Sequence, residues 1–280
     1  HNLLTHVFSN SRQEVDGRYY GSLVNYEKQD RAVGRIFGVT TSDVSSYIAR
    51  DLFFDDIKPS DKEALLIVRE DHQKETEWHE TYGPSLYDYA VNNYWMGNVP
   101  TEFDTVHFYA GGDTGAEQAP AVNKNIPQIR GLYDDCYLIL YADHGGWSGF
   151  DTVITSEVLR TNEVTLLPSI VLDIACATCT PLWGYDPEWG PYSDKGVTFC
   201  MENIRRGAMV YMGAVDLSYW HRMFDNILKG AFVEGKTIGE VYLEARNEEY
   251  TNCASSNPPW PCGDSYYALI GDPTFKPRWW

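Results

Sequence analysis

The sequence predicts an α/β protein organised on a mostly parallel sheet. One observation is the apolar run from Cys136 to Ala142, which stops abruptly at Asp143-His144-Gly145-Gly146. Another is the run Ile170–Ala175, which stops as abruptly at Cys176. Short β-rich runs that are apolar throughout and end in Gly or polar residues read as strands buried on both faces. The third observation is that such runs alternate with stretches of helical periodicity. That alternation implies right-handed crossovers and a sheet covered by helix layers.

Taken in order, residues 1–30 mix polar residues with aromatics and read as loops with a short strand. Ala32–Gly38 is strand-like. Thr41-Ser42-Asp43 then signals a helix start, and Val44, Tyr47, Ile48 and Leu52 give its apolar stripe up to Asp55-Asp56. A seam before residue 61 divides a small amino-terminal α/β subdomain, residues 1–60, from a larger one, residues 61–280. In the larger part Ala64–Val68 is a strand and Ser85–Trp95 a helix, with Leu86, Tyr89, Ala90 and Tyr94 at helical spacing. Asp104–Ala110 is a strand, and residues 114–130 hold a short helix. After the two runs already named come a helix over Met201–Arg206 and a strand over Gly207–Ala214. Helices over Tyr219–Phe232 and Ile238–Glu249 and a last strand over Tyr267–Ile270 complete the chain.

Composition narrows the function. The chain has 280 residues, 43% hydrophobic and 14% aromatic, ample for a packed core. Lys and Arg number 22 against 40 Asp and Glu, a formal net charge of −18. Nucleic-acid binding needs a basic footprint, so that balance argues against it; it suits a basic peptide or simply an acidic soluble surface. No apolar run is long enough to span a membrane. The first residue is His1, and no signal-peptide pattern opens the chain, which fits a processed product. Cys253 and Cys262 bracket a Pro-rich loop with the look of a disulfide-closed segment, and such a bond implies an oxidising, secreted setting.

In open α/β sheets, residues just past the carboxyl ends of neighbouring strands share one crevice. His144 and Cys176 would meet there as base and thiol nucleophile. Cysteine attacks as thiolate and needs a base or cation to lower its pKa; imidazole supplies both near neutral pH. Backbone N–H groups at Gly145 and Cys176 would form an oxyanion hole. The alternative reading of the same residues is a buried small cysteine and a loop histidine. Cys176-Ala177-Thr178-Cys179 is also a Cys-x-x-Cys, but no other thioredoxin-like signal accompanies it. Nor does a second Cys or His pair stand at zinc-ligand spacing. A disulfide joining Cys179 to Cys200, or involving Cys176, is a further alternative. His72, His79 and His221 read as structural.

The apolar strand followed by His144-Gly145, and the apolar strand followed by Ala175-Cys176, resemble the dyad signature of caspase-like cysteine peptidases. Within them the chain is similar to the gingipain (C25) family. Val33-Gly34-Arg35-Ile36 before a capped helix resembles that family's Gly-Arg strand and linking helix. Leu167-Pro168 leading into the nucleophile strand, Gly207–Ala214 with Ser218-Tyr219-Trp220 after it, and Leu269-Ile270-Gly271-Asp272-Pro273 resemble further pieces in the same order. Two stretches depart from the pattern. Asp143 stands where gingipains have Gly, closer to legumains, and Ala177-Thr178-Cys179-Thr180 differs from the family's turn.

The resemblance implies a caspase-like three-layer sandwich and a secreted endopeptidase acting on proteins or peptides. Cys176 is the implied nucleophile, His144 the base and then acid, and Glu70 the acidic third member. Glu75 and Glu77 fall in the segment that sets basic-residue preference, although Thr76 aligns with its key position. Tyr219 and Trp220 would wall the substrate side chain or serve as core aromatics. No cofactor is needed for the chemistry; Asp113, Asp134 and Asp135 are candidates for structural Ca²⁺. The rival expectation is a catalytically silent or self-processing member acting as an extracellular structural or adhesive module.

Overall fold

A computed structural model of the chain describes residues 31–36, 38, 40–69, 103–111, 126–142, 145–146, 148–150, 154–161, 167–179, 198–215, 227–255 and 267–277. The strands of the main sheet are β1 (Glu63–Arg69), β2 (Thr105–Gly111), β3 (Leu138–Ala142), β6 (Ile170–Asp173), β7 (Val210–Ala214) and β8 (Tyr267–Gly271). They form one six-stranded sheet in the order β2-β1-β3-β6-β7-β8. All neighbours pair in parallel except β7 and β8, which are antiparallel. The α/β class and mostly parallel sheet predicted above are therefore present. A second, two-stranded antiparallel sheet joins β4 (Gly149–Phe150) to β5 (Ile154–Thr155). Strands of two residues leave no periodicity to read, and the sequence did not predict them.

Side chains alternate between the faces with the strand period of two, and both faces are apolar. Leu138, Leu140, Ile170, Leu172, Val210 and Met212 point into one core, with Val241, Tyr242 and Ala245 of helix α6 (Ile238–Ser255). Ile139, Tyr141, Val171 and Tyr211 point into the other. There they meet α1 (Thr41–Leu52), α3 (Ile126–Asp135), α4 (Ser156–Thr161) and α5 (Phe199–Arg206). A parallel sheet needs such cover on both faces, because its crossovers place helices there. No helix among the described residues is long and apolar enough to cross a membrane.

Several boundaries move from their predicted places. Among the described residues of Ala32–Gly38, Arg35 forms an isolated bridge with Ile270, donating N–H to the Leu269 carbonyl and accepting from Gly271 N–H. Helix α1 starts one residue earlier, because Thr40 is its N-cap in a reciprocal capping box with Asp43. Its buried stripe is narrower than predicted. Tyr47 is buried, whereas Ile48 and Leu52 are 46% and 73% exposed; the short helix α2 (Phe54–Ile57) adds Phe54 to the core. The Tyr47 hydroxyl donates to the Met209 carbonyl and accepts from Asp272 N–H, and Arg205 bridges Asp43 to the buried Glu202. Residues 41–57 are thereby fastened to α5 and to β8. Residues 114–125 of the stretch expected to hold a short helix lie outside the described residues, 126–130 are helical as the start of α3, and α6 continues to Ser255. The predicted helix Ser85–Trp95 lies outside the described residues, as do residues 219–226 of the one predicted over Tyr219–Phe232, whose end is the π-helical turn Lys229–Val233.

Candidate active site

Strand β6 ends at Asp173, a fully buried acid closing an apolar strand. A buried carboxylate must be hydrogen-bonded, and this one organises the turn that follows. Its Oδ1 accepts from Ala175 N–H at 2.7 Å, which folds the chain back immediately after the strand. Its Oδ2 accepts from the hydroxyls of Thr178 and Tyr211, the latter at 2.5 Å. Two backbone bonds fasten the far side of the turn. Cys179 N–H donates to the Ala214 carbonyl at the end of β7, and Cys200 N–H donates to the Thr178 carbonyl from the first turn of α5. Within this braced loop Ala177 has φ +54°, the left-handed region that disfavours any side chain. Cys176 therefore sits at a sharp, over-determined corner just past the carboxyl end of β6. It is half-buried, whereas Cys179, three residues on, is completely enclosed.

The neighbouring strand end meets this corner. A Cβ at Gly145 would come within 2.6 Å of Ala175 Cβ and 2.9 Å of Thr178 Cγ2. Gly145 is thus required by the close approach of the segment after β3 to the Cys176 turn. Gly146 and Gly149 then exchange backbone hydrogen bonds that open the β4–β5 hairpin. Of the predicted site residues, the structure brings Cys176 and Gly145 to one edge of the sheet. His144, Glu70, Glu75, Glu77, Tyr219 and Trp220 lie outside the described residues. So do Asp113 and Cys262, and the Cys253 side chain.

Burial raises the Asp173 carboxyl to about 7, against the lowering effect of its three hydrogen bonds. Burial also pushes up the Cys179 thiol, reinforced by its contact with Cys200, and the hydroxyl of Tyr211. Cys136, Cys176, Cys179 and Cys200 are all thiols rather than half-cystines. Within the Cys-x-x-Cys sequence the thiol of Cys179 is in contact with Cys200 in the core. Asp134 is half-buried and raised to about 6 by burial and by Asp135.

Asp173, Thr178 and Tyr211 were not singled out from the sequence. One signal was available: an aspartate inside the apolar run Ile170–Ala175 has to be satisfied by something nearby. The partners come from the turn and from β7, and no spacing rule announces them.

Comparison with known proteins gives two findings. The sequence profile of Peptidase family C25 matches residues 6–278. Two crystal structures of the Saccharomyces cerevisiae separase–securin complex, at 2.6 and 3.0 Å, superpose with a TM-score of 0.50 each, at 8% and 9% identity. Each likeness covers 90% of this chain and 14% of the other, so the chain spans a small part of the matched one. At that identity the likeness shows the fold, and it is the caspase-like sandwich. No curated protein matches the sequence.

Proposed function

The chain belongs to peptidase family C25, a family of cysteine peptidases, and from that premise we propose that it is an endopeptidase whose nucleophile is Cys176 and whose base is His144. The observation that carries the reading is the braced, left-handed turn that holds the half-buried Cys176 just past the carboxyl end of β6. Sheet register adds support. Tyr141 of β3 pairs with Asp173 of β6, and His144 and Cys176 each follow that pair by three residues. Val68 of β1 pairs with Ala142, and Glu70 and His144 each follow that pair by two. The reading therefore puts base, nucleophile and orienting acid on the segments that follow three adjacent strands.

In the proposed reaction the Cys176 thiolate attacks the scissile carbonyl carbon. The oxyanion is held by backbone N–H groups at Gly145 and Cys176. The C–N bond breaks as His144 gives its proton to the leaving amine, which leaves a thioester. Water then attacks the thioester as His144 takes its proton; the carboxylic acid departs and the thiol is restored. Glu70 orients the imidazole. The net charge of −18, with Glu75 and Glu77 after β1 and Tyr219 and Trp220 after β7, favours a basic substrate side chain.

A peptidyl acyloxymethyl ketone ending in Arg or Lys tests this reading. We expect one covalent adduct, mapped to Cys176, and no adduct in Cys176→Ala. Fluorogenic peptides ending in Arg or Lys should be cleaved by the wild type and not by His144→Ala. An unlabelled, inactive wild type would instead mark a silent structural module, and an adduct surviving in Cys176→Ala would move the nucleophile elsewhere.

A further inference from the structure

The amino edge of the sheet carries a second cluster of reactive side chains, and we propose that Glu63, His107 and Cys136 bind one divalent ion of the zinc type. The three residues come from different elements. Glu63 opens β1, His107 is the third residue of β2, and Cys136 lies between α3 and β3. Strand register explains why they meet. Leu65 pairs with His107, so His107 shares a face with Leu65 and, by the period of two, with Glu63. The Glu63 carbonyl accepts from Tyr137 N–H at 2.9 Å, which brings residue 136 up beside the start of β1. Cys136 belongs to the core on that same face.

The three donor atoms lie within 4.8 Å of one another. His107 Nε2 and Glu63 Oε2 are 2.8 Å apart. Tetrahedral Zn²⁺ bonds nitrogen and oxygen at about 2.0–2.1 Å and sulfur at about 2.3 Å. Those lengths put ligand atoms about 3.3–3.6 Å from each other, so the cluster would have to relax by well under a side-chain rotamer change. Charge also fits. Binding exchanges the Cys136 thiol proton, released to solvent, for a metal–sulfur bond. A thiolate, a carboxylate and a divalent ion then sum to zero, which is what a partly buried site requires. Cys136 is fully buried, while the Glu63 and His107 side chains are 28% and 25% exposed. One side of the cluster is therefore open for an ion to enter and for water to complete the coordination.

Thiolate and imidazole select zinc-like ions over Ca²⁺ and Mg²⁺, which take oxygen ligands. The acids Asp113, Asp134 and Asp135 considered for Ca²⁺ are thus a different matter. Scanning the sequence for paired ligands finds nothing here, because the three donors stand at positions 63, 107 and 136. The site is also remote from chemistry at Cys176, being at the amino rim of the sheet, whereas Cys176 follows the carboxyl end of β6. Bound metal would tie the edge strand β2 to β1 and to the entry of β3.

Co²⁺ is the probe, since its spectrum reports both sulfur ligation and tetrahedral geometry. The full chain carrying Cys176→Ala, freed of metal by chelation, is titrated with Co²⁺ and then with Zn²⁺. We expect a thiolate-to-cobalt charge-transfer band and strong visible bands saturating at one equivalent, both abolished by Zn²⁺. Adding Cys136→Ser should remove the charge-transfer band, and adding His107→Gln should weaken Zn²⁺ binding by at least about tenfold. Because Cys136 is buried and its variant can fail to fold, a second readout uses the histidine alone. Zn²⁺ should raise the melting temperature of the parent chain and leave that of the His107→Gln chain unmoved. Absence of the band at millimolar Co²⁺ would overturn the proposal. A band that survives Cys136→Ser but disappears in Cys179→Ser would also overturn it, since the ion would then sit between Cys179 and Cys200.

Discussion

The two ends of the sheet treat the same chemical groups in opposite ways. At the carboxyl edge an acid, Asp173, is buried completely and Cys176 is only half-buried. At the amino edge the acid, Glu63, is partly exposed and the thiol, Cys136, is buried completely. Burial raises the Cys136 thiol well above its ordinary value, which removes it from nucleophilic chemistry unless a metal displaces its proton. The difference teaches that a strand end does not make a cysteine reactive by itself. What separates the edges is the turn: Asp173 holds back the chain after β6 so that the thiol cannot sink into the core.

That comparison is broken most directly by removing Asp173. Asp173→Ala leaves the Ala175 N–H and the Thr178 and Tyr211 hydroxyls buried without their acceptor. Each orphaned donor costs about 1–3 kcal/mol, so denaturant unfolding should show a loss of about 3–9 kcal/mol. An unchanged midpoint would show that the turn stands without its acid. A thiol map sharpens the contrast. Under native conditions iodoacetamide should modify Cys176 at least about a hundredfold faster than Cys136, Cys179 or Cys200, because enclosed thiols must wait for the structure to open. Equal rates at Cys136 and Cys176, read by peptide mass mapping, would erase the distinction between the edges.

Two smaller effects concern the turn itself. Ala177→Val forces a β-branched side chain into the left-handed backbone at φ +54° and should cost about 1–3 kcal/mol in stability. The pH dependence follows from Asp173, raised from 3.8 to about 7. Between those values the folded protein holds a proton that the unfolded chain has lost, so stability from this group falls as pH rises from about 4 to about 7 and is flat beyond. Its slope is at most about 1.4 kcal/mol per pH unit. Asp134, raised to about 6, adds in the same sense over a narrower window. Unfolding curves recorded across that range should show the slope in the wild type and a shallower one in Asp173→Asn; identical slopes would mean that Asp173 is not the titrating group.

Strands were legible wherever both faces are apolar. Ile139 and Leu140, or Val171 and Leu172, face opposite cores, so apolar residues follow one another without the alternation of a half-buried strand, and only the buried Asp173 breaks the second run. Around Arg35 the pattern resembles a strand, yet among the described residues there it bonds to β8 through Arg35 alone. Helix α3 runs on past the stretch expected to hold a short helix: Pro127 falls in its first turn, where a missing N–H is harmless, and the buried Ile129 and Tyr133 carry it to Asp135. At the candidate site, Cys176 and Gly145 were legible from where apolar runs stop. Asp173, Thr178 and Tyr211 were not, because their association depends on register between β6 and β7 rather than on spacing along the chain. Glu63, His107 and Cys136 escaped for the same reason.

A parallel sheet also divides the work between its two rims. Strands β1, β2, β3, β6 and β7 run the same way and so deliver their carboxyl ends to one rim. On the other rim the described connections are short: α3 reaches β3 within three residues, and α5 reaches β7 within four. Substitutions at the carboxyl rim can therefore alter recognition with little effect on the ladder, whereas the tight returns opposite leave few positions that can change without disturbing strand entry.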